Sequence, residues 1–501
     1  MKYLLGCDFG GGASKATLLS AHGRVVATAT REYPTYCPHN GWMEQDPNDS
    51  YHALVSNIHK ILSESGVSAR DIVALALDGA THTAVLLDQN DHLVRPAIYW
   101  TDKRSSVEAE RLSTLHKAEI ERLSFNSPSS LWTLPQLMWL REHEPENHSR
   151  IRKLMSMKDY VRYRLTGDYV TDSIEAMGFM LLDAKKNEWS PFLCSLCGLD
   201  PAILPPIVDP MQILSPLTDA AAKDTGLSRE TLVITGATDT VMEVYASGAI
   251  APGQATVKLA TAGRICPVTE HPYVDPLLVT YRHVVPGLWY PGTATKSCAA
   301  SNRWYRDVLS QYEIMEGQRT GQDAYSILSH AAETVPAGAD GLFFHPYLQG
   351  EITPYLDDRL RASFTGIATY HTKAHFNRAV LEGIAFSLKD CFLVLEKMGI
   401  APKSASIIGG GAKSPLWRQI IADMLGIPLQ VVENVDSSLG SAMLAGVATG
   451  IFASHQDAVA KCVHVSGLIN PNQETFAFYQ KRFTLYKRIQ AALAPIYHDL
   501  D

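Results

Sequence analysis

The stretch Tyr3–Leu19, YLLGCDFGGGASKATLL, decides the fold. An apolar run reaches Asp8, passes Gly10, Gly11 and Gly12, and resumes as a second apolar run carrying Lys15. A GxxxxGK[ST] nucleotide loop needs Gly directly before the Lys, and here Ser14 precedes Lys15 and Ala16 follows it. A dinucleotide fingerprint needs a helix after its glycines. Instead ASKATLLS stays apolar and β-branched, then AHG turns the chain into RVVATATRE, which reads as a three-stranded meander. Three consecutive glycines let the backbone approach a ligand and let its N–H groups converge. An Asp beside such a nest suits a metal ion bridging phosphate oxygens. The alternative is a glycine hairpin with a solvated Asp, and this stretch alone does not choose.

The remainder of the chain narrows the class. Its 501 residues suffice for two or three domains, each with a sizeable core. With 46% hydrophobic and 19% charged residues and a formal net charge of -8, it carries no basic stripe, so nucleic acid is not an expected partner. No apolar run reaches the roughly 18–20 residues of a membrane span, and MKYLLGCDFGGG has too short an apolar core for a secretory signal. The eight cysteines are scattered; the pair Cys194 and Cys197 lacks a second pair to complete a zinc site. His371 and His375 have i, i+4 spacing but no third ligand nearby, so they read as a solvated helix start. The expected compartment is the reducing cytoplasm, with no membrane partner.

Strands and helices alternate throughout, which argues α/β. Asp46 and Pro47 are good N-cap and first-turn residues for a helix carrying Leu54, Val55, Ile58, Ile61 and Leu62 at helical period. DIVALALDG reads as a strand covered on both faces. TAVLLDQNDHLVRPAIYWTDKR reads as a hairpin turned at Gln89–Asp91, residues 105–230 as mainly helical, and TLVITGATDT as a strand ending on Asp239. The opening pattern then returns. GQATVKLATAGRICPV is again strand, tight turn and strand, and KSASIIGGGAKSPLW gives a strand, Gly409–Gly411, and a helix from about Ser414. Before it, residues 371–399 read as a long amphipathic helix with Phe376, Val380, Ile384, Leu388, Phe392 and Leu395 on one stripe. Two similar lobes follow, 1–247 and 248–501, with a ligand cleft between them at the strand carboxyl ends.

The strand-end polar groups Asp8, Asp78, Thr81, His82, Asp102, Arg104, Asp239 and Thr261, with the glycine turns, suggest phosphoryl transfer. That reaction needs backbone donors around the transferred group, a metal to neutralise phosphates, and a carboxylate to take the attacking hydroxyl's proton.

The chain resembles the FGGY carbohydrate kinases, within them most closely the xylulose kinases, from end to end. The landmarks are WMEQDP (42–47), ATHTAVLLD (80–88), IYWTDKR (98–104), MKDYVRYRLTG (157–167), GATDT (236–240), YLQGEITPYLD (347–357), FTGI (364–367), AVLEGIAFSL (379–388) and IGGGAKSPLWRQIIAD (408–423). The resemblance implies two actin-like, ribonuclease-H-like ATPase domains around a central cleft, with ATP, Mg²⁺ and a sugar as ligands. Family members are often dimers, so a homodimer is the implied assembly. At matching positions it implies that Asp8 holds Mg²⁺, that Gly10, Gly11, Gly12 and Lys15 lie at the phosphates, and that Asp239 is the catalytic base. Thr261 and Gly263 match the second phosphate turn. Gly410, Gly411, Ala412, Ser414 and Trp417 match the adenosine segment, and Thr81, His82, Trp100 and Asp102 the sugar wall. Three departures stand out. The family's usual Thr and Ser of the first turn are Gly11 and Gly12, the Ser of the second turn is Ala262, and the sugar segment keeps only His82. Each phosphate-facing hydroxyl lost without replacement costs about 1.5–3 kcal/mol. The expected acceptor is a ketopentose such as D-xylulose. Another polyol, ketose or aldonate is the alternative, as is a sensor that binds without efficient transfer.

Overall fold

The computed structural model describes residues 1–500. The opening stretch is the expected meander: β1 (Tyr3–Phe9), β2 (Ala13–Ser20) and β3 (Val25–Glu32), antiparallel, with Tyr3 opposite Ser20 and Phe9 opposite Ser14. Helix α1 (Pro47–Ser65) starts where Asp46 accepts the Asn48 amide at 2.9 Å and stops at Gly66 in the left-handed region, φ 66°. It covers β2 and β3. Strand β4 (Ile72–Gly79), buried along nearly its whole length, adds parallel to β1, and β5 (Leu232–Thr238) adds parallel to β4. The first sheet therefore runs β5-β4-β1-β2-β3. The strand TLVITGATDT ends one residue sooner than expected, because Asp239 opens helix α2 (Asp239–Ala246).

The second half repeats this plan. β6 (Ala255–Leu259) and β7 (Gly263–Pro267) form the antiparallel pair, and the hairpin β8 (Val279–Arg282) and β9 (Trp289–Ala294) continues outward from β7. After helix α3 (Lys373–Lys397), β10 (Ala405–Ile408) lies parallel to β6. Helix α4 (Pro415–Leu425) leads to β11 (Leu429–Val432), parallel to β10. The sheet reads β8-β9-β7-β6-β10-β11-β12 once helix α5 (Ser437–Ala448) and β12 (Val465–Ile469) are added. Strands β9-β7-β6-β10-β11 have the order and sense of β3-β2-β1-β4-β5 in the first sheet.

Two local expectations are corrected. Helix α3 is not amphipathic: every residue from Asn377 to Phe392 is buried, because strand Phe343–His345, helix Ala324–Glu333 and α4 enclose it. The turn at Gln89–Asp91 forms, with the Asp88 amide donating to the His92 carbonyl at 2.9 Å. Its arms stay paired only as far as Leu87 opposite Leu93 and the Val94 amide donating to Leu86 O at 2.9 Å, then part, Ala84–Leu87 pairing with Lys153–Ser156 and Ala97–Ile98 with Glu44–Gln45. Helix α5, late in the chain, packs on β1, β4 and α2 of the first half. The approach is backbone to backbone: a Cβ on Gly6 would overlap the Ser438 carbonyl oxygen and lie 2.5 Å from the Ala442 nitrogen.

Candidate active site

Asp8 is the next-to-last residue of β1 with Asp78 beside it on parallel β4, and Asp239 follows the end of β5, so three acids stand at the carboxyl ends of three neighbouring strands. Asp78 is fully buried, and burial together with Asp8 raises its pKa well above the carboxylate range; the Ser441 hydroxyl of α5 donates to it at 2.5 Å. Burial, and then the charge of Asp239, lifts Asp8 to about 7. Its Oδ1 is buried with no protein partner. Asp239 is oriented locally, Oδ1 accepting the Thr240 amide at 2.5 Å and the Thr240 hydroxyl at 3.1 Å. From the second sheet, Arg264 on β7 reaches the same Thr240 hydroxyl at 3.1 Å.

The glycine turn is pinned through its carbonyls. Gly10 O accepts the Tyr33 hydroxyl at 2.6 Å, Gly11 O accepts Thr35 and the Gln45 amide at 2.9 Å, and Gly12 O accepts the Tyr33 amide at 3.1 Å. The Gly11 and Gly12 amides donate to no protein acceptor among the described residues. Carbonyls tied back and amides left free make a nest for an anion.

This donor set fits a magnesium ion on two grounds, an unpaired buried carboxylate oxygen and mutual repulsion between Asp8 and Asp239, while the free amides beside them suit the phosphate oxygens such an ion would neutralise. Among the described residues no three His, Cys, Asp or Glu side chains form a metal cage. A cation here would therefore complete its shell with water and phosphate oxygens.

At the equivalent strand ends of the second sheet lies a cavity of about 670 Å³. It joins Thr261, Gly410, Gly411, Ser414 and Trp417, as the sequence led us to expect, to Tyr325 and Asn377, which it did not. Trp417 is a buried wall, its indole N–H donating to Leu381 O at 3.2 Å, and Ser414 caps α4. Gly263 and Ala412 do not line it. Gly263 is a packing glycine, since its Cβ would meet Leu388, Thr295 and Cys298 at 3.0–3.1 Å. Lys15 lies opposite Asp8 on β2, and its ammonium is paired with Asp436, the N-cap of α5.

Of the residues expected to contact a sugar, the structure brings Thr81 and His82 together. His82 has φ 65°, an unusual backbone for a non-glycine and a mark of a constrained site. Its Nδ1 lies 3.0 Å from Gly178 O and its Nε2 3.3 Å from the Tyr281 hydroxyl. Burial drops its pKa to about 3, so the ring is neutral. Thr81, the Tyr281 hydroxyl and Glu175 Oε1 converge over Gly178, where a Cβ would meet them at 3.4, 3.4 and 3.6 Å. Glu175 is fully buried with both oxygens unpaired, and burial raises its pKa well above the carboxylate range. Trp100 remains part-exposed beside Tyr99.

Asp102 is the correction. Both its oxygens are taken: Arg104 binds them at 2.9 and 2.8 Å, and the Met43 amide adds a 2.5 Å bond. It anchors Arg104, which stacks 3.8 Å over Trp42, and is not free to receive sugar hydroxyls. Glu175, Tyr281, Arg264 and Asp78 escaped, or were given no role in, the sequence reading. Only Asp78 had a visible signal, an acid closing an apolar strand.

Comparison with known proteins agrees with this geometry. The family described as "FGGY family of carbohydrate kinases, N-terminal domain" matches residues 3–245, and its C-terminal domain matches residues 259–449. The chain is 31% identical to a xylulose kinase of Bacillus subtilis over 98% of this chain and 97% of that one. It is 29% identical to a gluconokinase of the same organism over 98% and 96%. The solved structure of a ligand-bound xylulose kinase from Lactobacillus acidophilus superposes with a TM-score of 0.92 at 27% identity, covering 100% of both chains.

Proposed function

Because the chain belongs to the FGGY family of carbohydrate kinases, we propose that it transfers the γ-phosphoryl group of ATP to a primary hydroxyl of a ketopentose, D-xylulose first among them. One juxtaposition carries this reading: a nest with two unclaimed amides follows Asp8, on which the charge of Asp239 acts, and a nucleotide-sized cavity sits at the matching strand ends of the second sheet. The neutral wall of Thr81, His82 and Tyr281 suits sugar hydroxyls, and Trp100 offers a face for C–H surface.

In the reaction, the sugar hydroxyl lies against Asp239, which Thr240 and the start of α2 hold in place. The hydroxyl oxygen bonds to the γ-phosphorus as its proton passes to the Asp239 carboxylate, and the bond to the ADP oxygen breaks. The Gly11 and Gly12 amides hydrogen-bond the phosphoryl oxygens during transfer. Magnesium, held at Asp8, would supply charge neutralisation across the phosphates. Closure of the two lobes excludes water, the competing acceptor. The eight free cysteines support a reducing, ATP-supplied compartment.

A second reading, an aldonate acceptor, draws on Arg264. Its guanidinium has no carboxylate partner among the described residues and stands beside Thr240. Measuring ADP release with D-xylulose, D-ribulose, L-xylulose, gluconate and glycerol separates the two. The ketopentoses should give the highest kcat/KM, and a gluconate optimum would move the assignment to the second reading. Absence of sugar-stimulated ADP release would overturn both. Asp239→Asn should lower kcat by about 10²–10⁴ with ATP affinity kept; undiminished turnover would refute Asp239 as the base.

A further inference from the structure

Gly11 is glycine for want of space, not of backbone freedom. A Cβ there would overlap the Tyr99 hydroxyl oxygen and lie 3.0 Å from its Cζ, whereas a Cβ on neighbouring Gly12 would meet nothing. The turn itself, Gly10-Gly11-Gly12-Ala13, offers no side-chain hydroxyl. Tyr99 is held firmly. Its amide donates to Met43 O and its carbonyl accepts from the Asp102 amide, both at 2.9 Å, and Asp102 is locked by Arg104. The phenol is buried, and after burial itself the charges of Asp239 and Asp8 hold its proton on against the opposing effect of Trp100. It is therefore a neutral donor against Gly11, within reach of the charge of both acids of the reaction.

We propose that the Tyr99 hydroxyl is the side-chain donor of the phosphate turn, hydrogen-bonding an oxygen of the phosphoryl group in transfer, the place a hydroxyl on residue 11 would fill. Tyr99 then acts as a catalytic residue delivered from the strand at Ala97–Ile98, and its size dictates glycine at position 11. This inference rests on the kinase reading of the turn.

The test compares wild type, Tyr99→Phe, Gly11→Ser, Tyr99→Leu and the double variant Gly11→Ser/Tyr99→Leu by steady-state kinetics and calorimetric melting. Tyr99→Phe should lower kcat by about tenfold to hundredfold, with sugar KM within about twofold and Tm within about 2 °C. Gly11→Ser should be damaging in the wild-type background, where the serine meets the phenol. In the Tyr99→Leu background it should instead raise kcat about tenfold, because the hydroxyl has been moved across the gap. Unchanged kcat in Tyr99→Phe would overturn the inference, as would a rise in sugar KM alone, which marks a sugar contact. Equal damage by Gly11→Ser in both backgrounds would also overturn it. If the double variant does not fold, the kcat and KM split of Tyr99→Phe decides. Wild-type ADP release with sugar is the control: its absence sinks the kinase reading, whereas its presence beside a fully active Tyr99→Phe sinks only this inference.

Discussion

Replacing Asp8 by Asn sets stability against function in one variant. Asp8 is carried from its ordinary 3.8 to about 7, first by burial and then by the charge of Asp239. For an acid with a raised folded-state pKa, the folded protein holds the proton more tightly than the unfolded chain. Stability is then full below about pH 4 and is lost as pH climbs through about 7. At 1.36 kcal/mol per pH unit, the whole displacement corresponds to about 4 kcal/mol of destabilisation at pH 8. Asn carries no charge, so it removes that penalty, less what its amide loses by leaving one buried partner unmet, about 1–3 kcal/mol. In metal-free buffer, Asp8→Asn should melt above wild type at pH 8 and level with or below it at pH 4. Added Mg²⁺ should raise the wild-type Tm at pH 8 and leave that of the variant unmoved, while kcat collapses. Scanning calorimetry at pH 4, 6 and 8 with and without Mg²⁺ measures all of this. A variant destabilised equally at every pH would refute the electrostatic reasoning, because the carboxylate would then be holding the fold together.

Three further substitutions probe other parts. Gly6→Ala forces the Ser438 carbonyl and the Ala442 amide away from β1 and should cost about 2–3 kcal/mol or more, read as a lower Tm; an unchanged Tm would deny the close approach of α5. Asp102→Ala strips Arg104 of its two-point partner and leaves Glu44 at 2.8 Å. It should destabilise by about 3 kcal/mol, and a pure rise in sugar KM with normal Tm would restore Asp102 to the sugar wall. Gly411→Ala brings a methyl to 2.6 Å from the Trp417 ring and should raise KM for ATP several-fold while KM for sugar stays put; the opposite pattern would move the nucleotide elsewhere.

What could be read along the chain was local. Asp8 with Gly10–Gly12, Thr261 with its small neighbours, and Gly409–Gly411 before Ser414 announce themselves because turn chemistry and strand period act over a few residues. The repeat of that pattern was enough to infer duplicated lobes. Residues whose roles depend on how the chain folds back on itself were misread or missed. Asp102 looked like a free sugar ligand because nothing in IYWTDKR shows that Arg104 folds back on it. Glu175 and Tyr281 meet over Gly178 from opposite halves of the chain. Tyr99 explains Gly11 only once the strand at Ala97–Ile98 is laid beside Glu44–Gln45. Helix α3 misled for a related reason: its apolar stripe is real, but its polar face is enclosed as well.

The packing of α5 on β1 and β4 sets an order of events during synthesis. Leu4, Leu19, Ala74 and Ala76 share one core with Leu439, Ala442, Met443 and Leu444, so a nascent chain emerging from the ribosome presents an uncovered apolar sheet face until translation has passed Ala448. Nearly all of the other lobe is made in that interval, during which an exposed apolar face of this kind is prone to aggregate. It also means that a protein cut after residue 247 is no independent module, because the cover for its own sheet is encoded almost at the far end.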